Sequence, residues 1–440
     1  MKLHTFMKCL FLLTVLSSST SFISGVETPT SISQTPNVSR RHFTHKNTVE
    51  GIGIRSVAVA ALSSVAAAIS SAGGVGGGGL FIPILTIVGG QDVKTASTYS
   101  AFMVTGGAVA NVAAYTLWRS GGGARRLIDY EMALLCQPWL LLGVSCGVVL
   151  NAVFPEWLIM LLFVVFVAGC TFKTCRSGAV HWSLESRGFR GETENGESTK
   201  MPLLCATGDQ AGDEVRAPWM SVGMLVLIWF SFFALYLLRG NRYGQGIIQI
   251  EACGTGYWLI SSMQIPLAIF FTSWILIRRS SATASTQQEN GGRTRRRPSS
   301  ELVFPIMALL AGLLGGVFGI GGGMLISPIL LQMGIEPQVT AATCSFMVLV
   351  SSSMSALQYL LLGMEQIYAA LTYAAICFVA SLVGLTVIRK AILKHGRPSI
   401  IVFSVGTVMA LSIVLMTSFG ALDVWRSYTA GQNMGFKKPC

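Results

Sequence analysis

Two runs of glycine stand inside apolar sequence, Gly74-Val75-Gly76-Gly77-Gly78-Gly79 and Gly319-Ile320-Gly321-Gly322-Gly323. Backbone without side chains presents its own N–H groups. Where such a run leads into a helix, the helix start adds about half a positive charge and unpaired donors. The chemistry this allows is the holding of a small anion by backbone dipoles, with Gly76, Gly77, Gly78, Gly79, Gly321, Gly322 and Gly323 as the contact residues. Hydroxyl clusters follow both runs: Thr95, Ser97, Thr98 and Ser100 after the first, Thr340, Thr343 and Ser345 after the second. They read either as helix N-caps or as donors to an anion's oxygens. Their recurrence in both places favours a shared contact role for Thr95, Thr98, Ser100, Thr340, Thr343 and Ser345. Ser351, Ser352, Ser353 and Ser355 lie one to three turns further on and are weaker candidates.

Other chemistries fit less well. Glycine also serves close helix packing at GxxxG spacing, but consecutive glycines are not needed for that. Gly74, Gly76 and Gly79 satisfy GxGxxG, yet Met324 replaces the third glycine in the second copy and no GK[ST] follows. There is no GxSxG, no HExxH and no His or Asp pair inside an apolar run, which argues against an enzyme. Ten cysteines are scattered without CxxC or zinc spacing and read as small hydrophobes. No cofactor and no metal is expected.

The elements that must position these residues are membrane helices. Of 440 residues, 52% are hydrophobic and 11% charged, against about 25% charged in a soluble domain. The surplus apolar surface must face a lipid bilayer. The net charge of +12 sits mostly in loops, where it sets topology; without interleaved aromatics it predicts no nucleic-acid partner. Oligomeric state is not legible.

Residues 1–24 carry a basic start and the short apolar core Cys9 to Leu16, a signal peptide either cleaved or retained as an anchor. Residues 25–53 form a polar lumenal or extracellular segment with one sequon, Asn37-Val38-Ser39. Its Arg40, Arg41 and Lys46 keep an organelle transit sequence open, so the expected membrane is that of the secretory pathway, the cell surface or an organelle. Shifting the chain by 245 positions lays GVGGGGLFIPIL (74–85) over GIGGGMLISPIL (319–330), and Thr95, Ala96, Thr98 and Ser100 over Thr340, Ala341, Thr343 and Ser345. The chain therefore divides into a first unit (54–172), a disordered polar loop (173–217), two inserted spans (218–277), a basic loop (278–300), a second unit (302–420) and a tail (421–440).

Basic residues mark cytoplasmic loops. They gather at Arg119, Arg125 and Arg126, at Lys173 and Arg176, in loop 278–300, and at Arg389, Lys390, Lys394 and Arg397. All four lie on one side only if each glycine segment enters and leaves the same face. Five crossings then separate the two hairpins, so the second unit is inverted. The expected fold is an all-α polytopic membrane protein. Each inverted repeat is a glycine-tipped re-entrant hairpin plus three spanning helices, and the tips meet near the midplane.

At the two glycine motifs the sequence resembles the sulfite exporter TauE/SafE family, in the branch found in plants and protists. GIEPQVTAATCSFMVL (334–349), SSSMSALQYLL (351–361) and YWLISSMQIPLAI (257–269) resemble that branch too. The resemblance implies a transporter of sulfite, sulfonates or related sulfur anions. The residues by themselves reach a small anion, carried by alternating access or passed by a channel, a carboxylate included. The plant-like pattern often has a lysine after the first hydroxyl cluster; Ala101 stands there, which shifts charge recognition onto backbone dipoles.

Overall fold

The first glycine run does divide helices. In the computed structural model, residues 49–74, 76–91, 93–117, 127–194, 218–239, 254–287, 299–317, 323–332, 335–361, 367–395 and 399–429 are described. The signal peptide, the Asn37 sequon, and Gly321 and Gly322 of the second tip lie outside them.

Every regular element among the described residues is a helix. In the first unit α1 (Val49–Ala72) precedes the tip. After the tip comes α2 (Gly78–Pro83), which passes into a π-helical turn at Ile84–Val88. Then follow α3 (Val93–Leu117), α4 (Tyr130–Val153) and α5 (Glu156–Glu194). The insert supplies α6 (Pro218–Arg239), α7 (Thr255–Ser262) and α8 (Gln264–Gln287). Pro266 has no N–H for the Ser262 carbonyl, which accounts for the break between α7 and α8. The second unit repeats the order with α9 (Ser299–Val317), α10 (Gly323–Gln332), α11 (Pro337–Leu361), α12 (Ile367–His395) and α13 (Ser399–Thr429). Among the described residues eight spans are long and apolar enough to cross a membrane: α1, α3, α5, α6, the α7–α8 pair, α11, α12 and α13. The 24-residue α4 is apolar as well.

Several boundaries differ from the sequence reading: α1 begins at Val49 inside the expected polar segment, α12 runs to His395 through the basic region from Arg389, and three more changes are larger. The segment from 173 is not loop at its start, because α5 runs on to Glu194. Cys170, Thr174 and Gly178 keep a buried face at helical spacing, and Trp182 closes it with an edge-on contact to Phe403 of α13, centroids 5.9 Å apart. Lys173 and Arg176 thus sit exposed on a helix, where long basic side chains reach the interface. Likewise α8 extends to Gln287 inside the basic 278–300 segment, and α13 to Thr429 inside the expected tail. Neither stretch contains a proline or glycine before its helix ends, apart from Gly420.

Packing follows the repeat. Exchanging each helix for its counterpart (α1 with α9, α3 with α11, α4 with α12, α5 with α13) reproduces the main inter-unit contacts. α4 packs on α9 as α12 packs on α1; α4 meets α11 as α12 meets α3. α4 and α9 run parallel, with Cys136 against Phe304, Gly143 against Leu309 and Gly147 against Leu313. Here the glycines let backbones touch, which replaces the hydrophobic drive that lipid removes. The counterparts α3 and α11 run antiparallel: Val104 and Val348 share a neighbour, and further along Asn111 meets Ser345. α5 and α13 are antiparallel too, with Cys175 beside Gly406 and Trp182 beside Phe403. The insert packs on one flank, through Trp139 Nε1 to Thr272 Oγ1 (2.7 Å) and Trp229 Nε1 to the Val350 carbonyl (3.2 Å).

Candidate functional site

The first tip is built from residues that only glycine suits. Gly74, Gly76 and Gly77 have φ of 65°, 78° and 69°, a region that costs an L side chain roughly 1–2 kcal/mol. Space is missing as well. A Cβ on Gly77 would lie 2.7 Å from both Phe81 Cζ and Ser70 Oγ; one on Gly76 would lie 2.8 Å from Val348 Cγ1 and 3.0 Å from Val104 Cγ1. Val104 and Val348 are each eleven residues into 25-residue helices. The tip therefore stands halfway along both α3 and α11.

Beyond it α2 starts without a side-chain cap, on Gly77. The Leu80 and Phe81 N–H groups turn back onto the Gly77 carbonyl at 2.9 and 3.2 Å. The donors that the helix leaves over at this end are those of Gly78 and Gly79. Gly77, Gly78 and Gly79 are buried and Gly76 half-buried. Unit two reaches this tip directly, since Ser327 of α10 donates to the Gly73 carbonyl at 3.1 Å. Gly323 opens α10.

Because α3 and α11 are antiparallel, the hydroxyls near the first tip belong to unit two. Gly74 abuts the Ala341 backbone, next to Thr340. Three degrees of engagement separate them. Thr340, 1% exposed, has no protein partner for Oγ1. Thr343 Oγ1 accepts from the Asp129 N–H at 3.0 Å and keeps its proton available. Ser345 donates to the Ala341 carbonyl at 2.8 Å, so its proton is committed. On α3, Thr95 and Thr98 are half-buried and Ser100 is buried. At 1.5 Å per residue they stand roughly 13, 9 and 6 Å before Val104, away from this tip. Ser351, Ser352, Ser353 and Ser355 all bond back to carbonyls of their own helix, the local pairing such residues favour.

Three buried amides escaped the sequence reading, Gln264 of α8 and two in the repeat units. Asn111, 2% exposed, accepts a short hydrogen bond from Ser71 Oγ and donates to the Ser71 carbonyl (3.3 Å) and Ser345 Oγ (3.5 Å). Ser71 Oγ also contacts the Ser381 carbonyl at 3.2 Å. This knot ties α1, α3, α11 and α12 together beneath the tip. Gln137 on α4 is the second. The available signal was an amide well inside an apolar run, which in a membrane segment points to function or to a paired contact. Among the described residues every buried polar side chain is a serine, threonine, asparagine or glutamine.

Comparison with known proteins adds three findings. The family model for "Sulfite exporter TauE/SafE" matches residues 4–197 and 213–416. The chain is 57% identical over 401 residues to Sulfite exporter TauE/SafE family protein 2 of Arabidopsis thaliana, covering 86% of each chain. To family protein 1 of the same plant it is 52% identical over 416 residues, covering 91% of this chain and 92% of the other. No solved structure matches the chain.

Proposed function

The chain belongs to the sulfite exporter TauE/SafE family, a family of membrane transporters, and from that premise we propose that it moves a small sulfur oxyanion, sulfite or an organosulfonate, across its membrane by alternating access. The anion sits between the two glycine tips, at the amides of Gly76–Gly79 and Gly321–Gly323. Thr340 and Thr343 contribute hydroxyls at the first tip; Thr95, Thr98 and Ser100 occupy the corresponding positions for the second.

The observation that carries this reading is the first tip itself. It is a left-handed glycine turn halfway along two repeat-equivalent helices, feeding the uncapped start of α2. Antiparallel packing of α3 on α11 and of α5 on α13 supports the inversion of the second unit. Although α1 is long enough to cross alone, its end at half height supports a re-entrant arm. Inversion lets one site face either side in turn. A monovalent anion leaving an inside-negative compartment gains about 2.3 kcal/mol per 100 mV, which is enough to drive export without a coupled ion.

The test is radiolabelled sulfite flux in vesicles with Gly77→Val and Gly322→Val. Folded variants should lose most of the flux, whereas unchanged flux would sink the proposal. Counterflow in the wild type separates a carrier from a channel.

A further inference from the structure

The polar knot beneath the first tip has no side-chain counterpart on the other flank of the fold. Close approaches carry the repeat through the packing. Gly384 abuts the Ala68 backbone as Gly147 abuts that of Leu313. Ala68 and Leu313 are 245 positions apart, as the glycine runs are, while Gly147 and Gly384 are 237 apart. The link from α11 to α12 is shorter than that from α3 to α4, which accounts for the difference. The knot draws its donors from two side chains, the Ser71 hydroxyl and the Asn111 amide. The 245-residue shift leads from Ser71 to Gly316 and from Asn111 to Ala356, whose side chains donate nothing. The third member, Ser345, leads to Ser100, and the fourth is the Ser381 carbonyl, a backbone group. One flank is therefore tied by side chains and its image is not.

The knot has a definite height and a direct link to the tip. Gly76 stands level with Val104 and Val348. Asn111 follows Val104 on α3 and Ser345 precedes Val348 on α11. With the two helices antiparallel, both lie on the 119–130 side of the tip. Ser71, Asn111, Ser345 and Ser381 are each at most 2% exposed, so this layer is shut. The Ser71 carbonyl that takes the Asn111 amide also takes the Gly74 N–H at 3.2 Å; knot and glycine turn share an atom. We infer that Ser71 and Asn111 form a one-sided gate, which closes the path between the first tip and the 119–130 side and tilts the carrier toward the state open to the opposite side. This rests on the alternating-access reading above. In a carrier built of inverted repeats, the two end states are images of each other with the repeats exchanged. Identical repeats would populate both equally, so the balance is set where the repeats differ. Ser71 and Asn111 are such positions. Their bonds to Ser381 and Ser345 cross from one unit to the other, and rocking one unit against the other must part them. Polarity suits this task. Hydroxyl and amide bonds exchange for bonds to water when a path opens, at small net cost, whereas an apolar seam has no such exchange.

The experiment is hydrogen–deuterium exchange of the purified full-length protein, read by mass spectrometry, for wild type, Asn111→Leu and Ser71→Ala. Two pairs of segments report. Residues 105–117 of α3 and 337–347 of α11 lie on the gate side, and residues 93–101 of α3 and 350–361 of α11 on the other. Opening the gate should raise exchange several-fold in the first pair and lower it in the second, because a carrier that opens to one side closes to the other. Ser71→Ala keeps the Asn111 bonds to the Ser71 carbonyl and to Ser345. It should give the same reciprocal change in smaller degree, and it decides the matter where Asn111→Leu does not fold. Loss of packing alone would raise exchange in the first pair and leave the second unchanged or raised. That result, or unchanged exchange in both pairs of a folded variant, overturns the gate. Sulfite flux in vesicles separates this inference from its parent. Wild-type flux without the reciprocal change removes the gate alone; a wild type with neither flux nor counterflow removes the carrier reading and the gate with it.

Discussion

At the level of single residues, the site depends on which hydroxyl protons are already committed. Ser345 and the Ser351–Ser355 group spend theirs on their own helix, Thr343 keeps its proton while accepting from Asp129, and Thr340 is unengaged. Sequence ranked the Ser351–Ser355 group lower but treated Thr340, Thr343 and Ser345 as equals, because commitment depends on the carbonyl that each rotamer reaches. The glycines were fully legible: three left-handed positions in four residues, each crowded by a neighbour, leave no other residue type. Asn111 was visible and passed over, since its role comes from Ser71, 40 residues away, and Ser345, 234 residues away. Replacing Asn111 with Leu should remove its three hydrogen bonds and leave the Ser71 hydroxyl only the Ser381 carbonyl. A typical hydrogen bond contributes about 0.5–1.5 kcal/mol net, so the variant should melt several degrees lower in detergent. An unchanged melting temperature would mean that the knot contributes nothing.

Among the elements, the α5–α13 pair is the clearest case of tertiary context overriding composition. Residues 173–194 carry charges of both signs with glycine and serine, and read as loop. The helix persists because Cys175, Gly178 and Trp182 find a partner surface in Val402, Phe403 and Gly406. That surface is more than 200 residues away in sequence, beyond the reach of local pattern. The pair also gives a direct probe of direction. A Cβ on Gly406 would lie 3.1 Å from the Cys175 sulfur. Gly406→Cys should therefore cross-link to Cys175 on mild oxidation and give a mobility shift on a non-reducing gel that thiol reverses. A parallel arrangement of the two helices would place the thiols far apart and yield no bond.

For the whole molecule, the duplication, the insert and the helical class could all be read from periodicity and from the 245-residue shift. The exchange of partners between units could not, because it depends on which faces meet. Topology gives the test at this scale. Single cysteines placed in segments 119–129 and 389–397 should react with an impermeant thiol reagent from the same side, and one placed at 363–366 from the opposite side. Labelling of the first two from opposite sides would dismiss the inverted arrangement.

The reach of Ser327 to the Gly73 carbonyl, and of Ala341 to Gly74, also bears on biosynthesis. Residues 73 and 341 leave the ribosome far apart in time. At 5–20 residues per second, about a quarter of a minute to a minute passes between them. During that interval the first glycine turn is already in the membrane, with its buried carbonyls and donors unmatched by the helices that later enclose it. Lipid supplies no substitute partners, so the early half must wait in another arrangement, held by water or by the insertion machinery. The native turn closes only when α10 and α11 arrive, which makes the last third of the chain the step that commits the first third to its final shape.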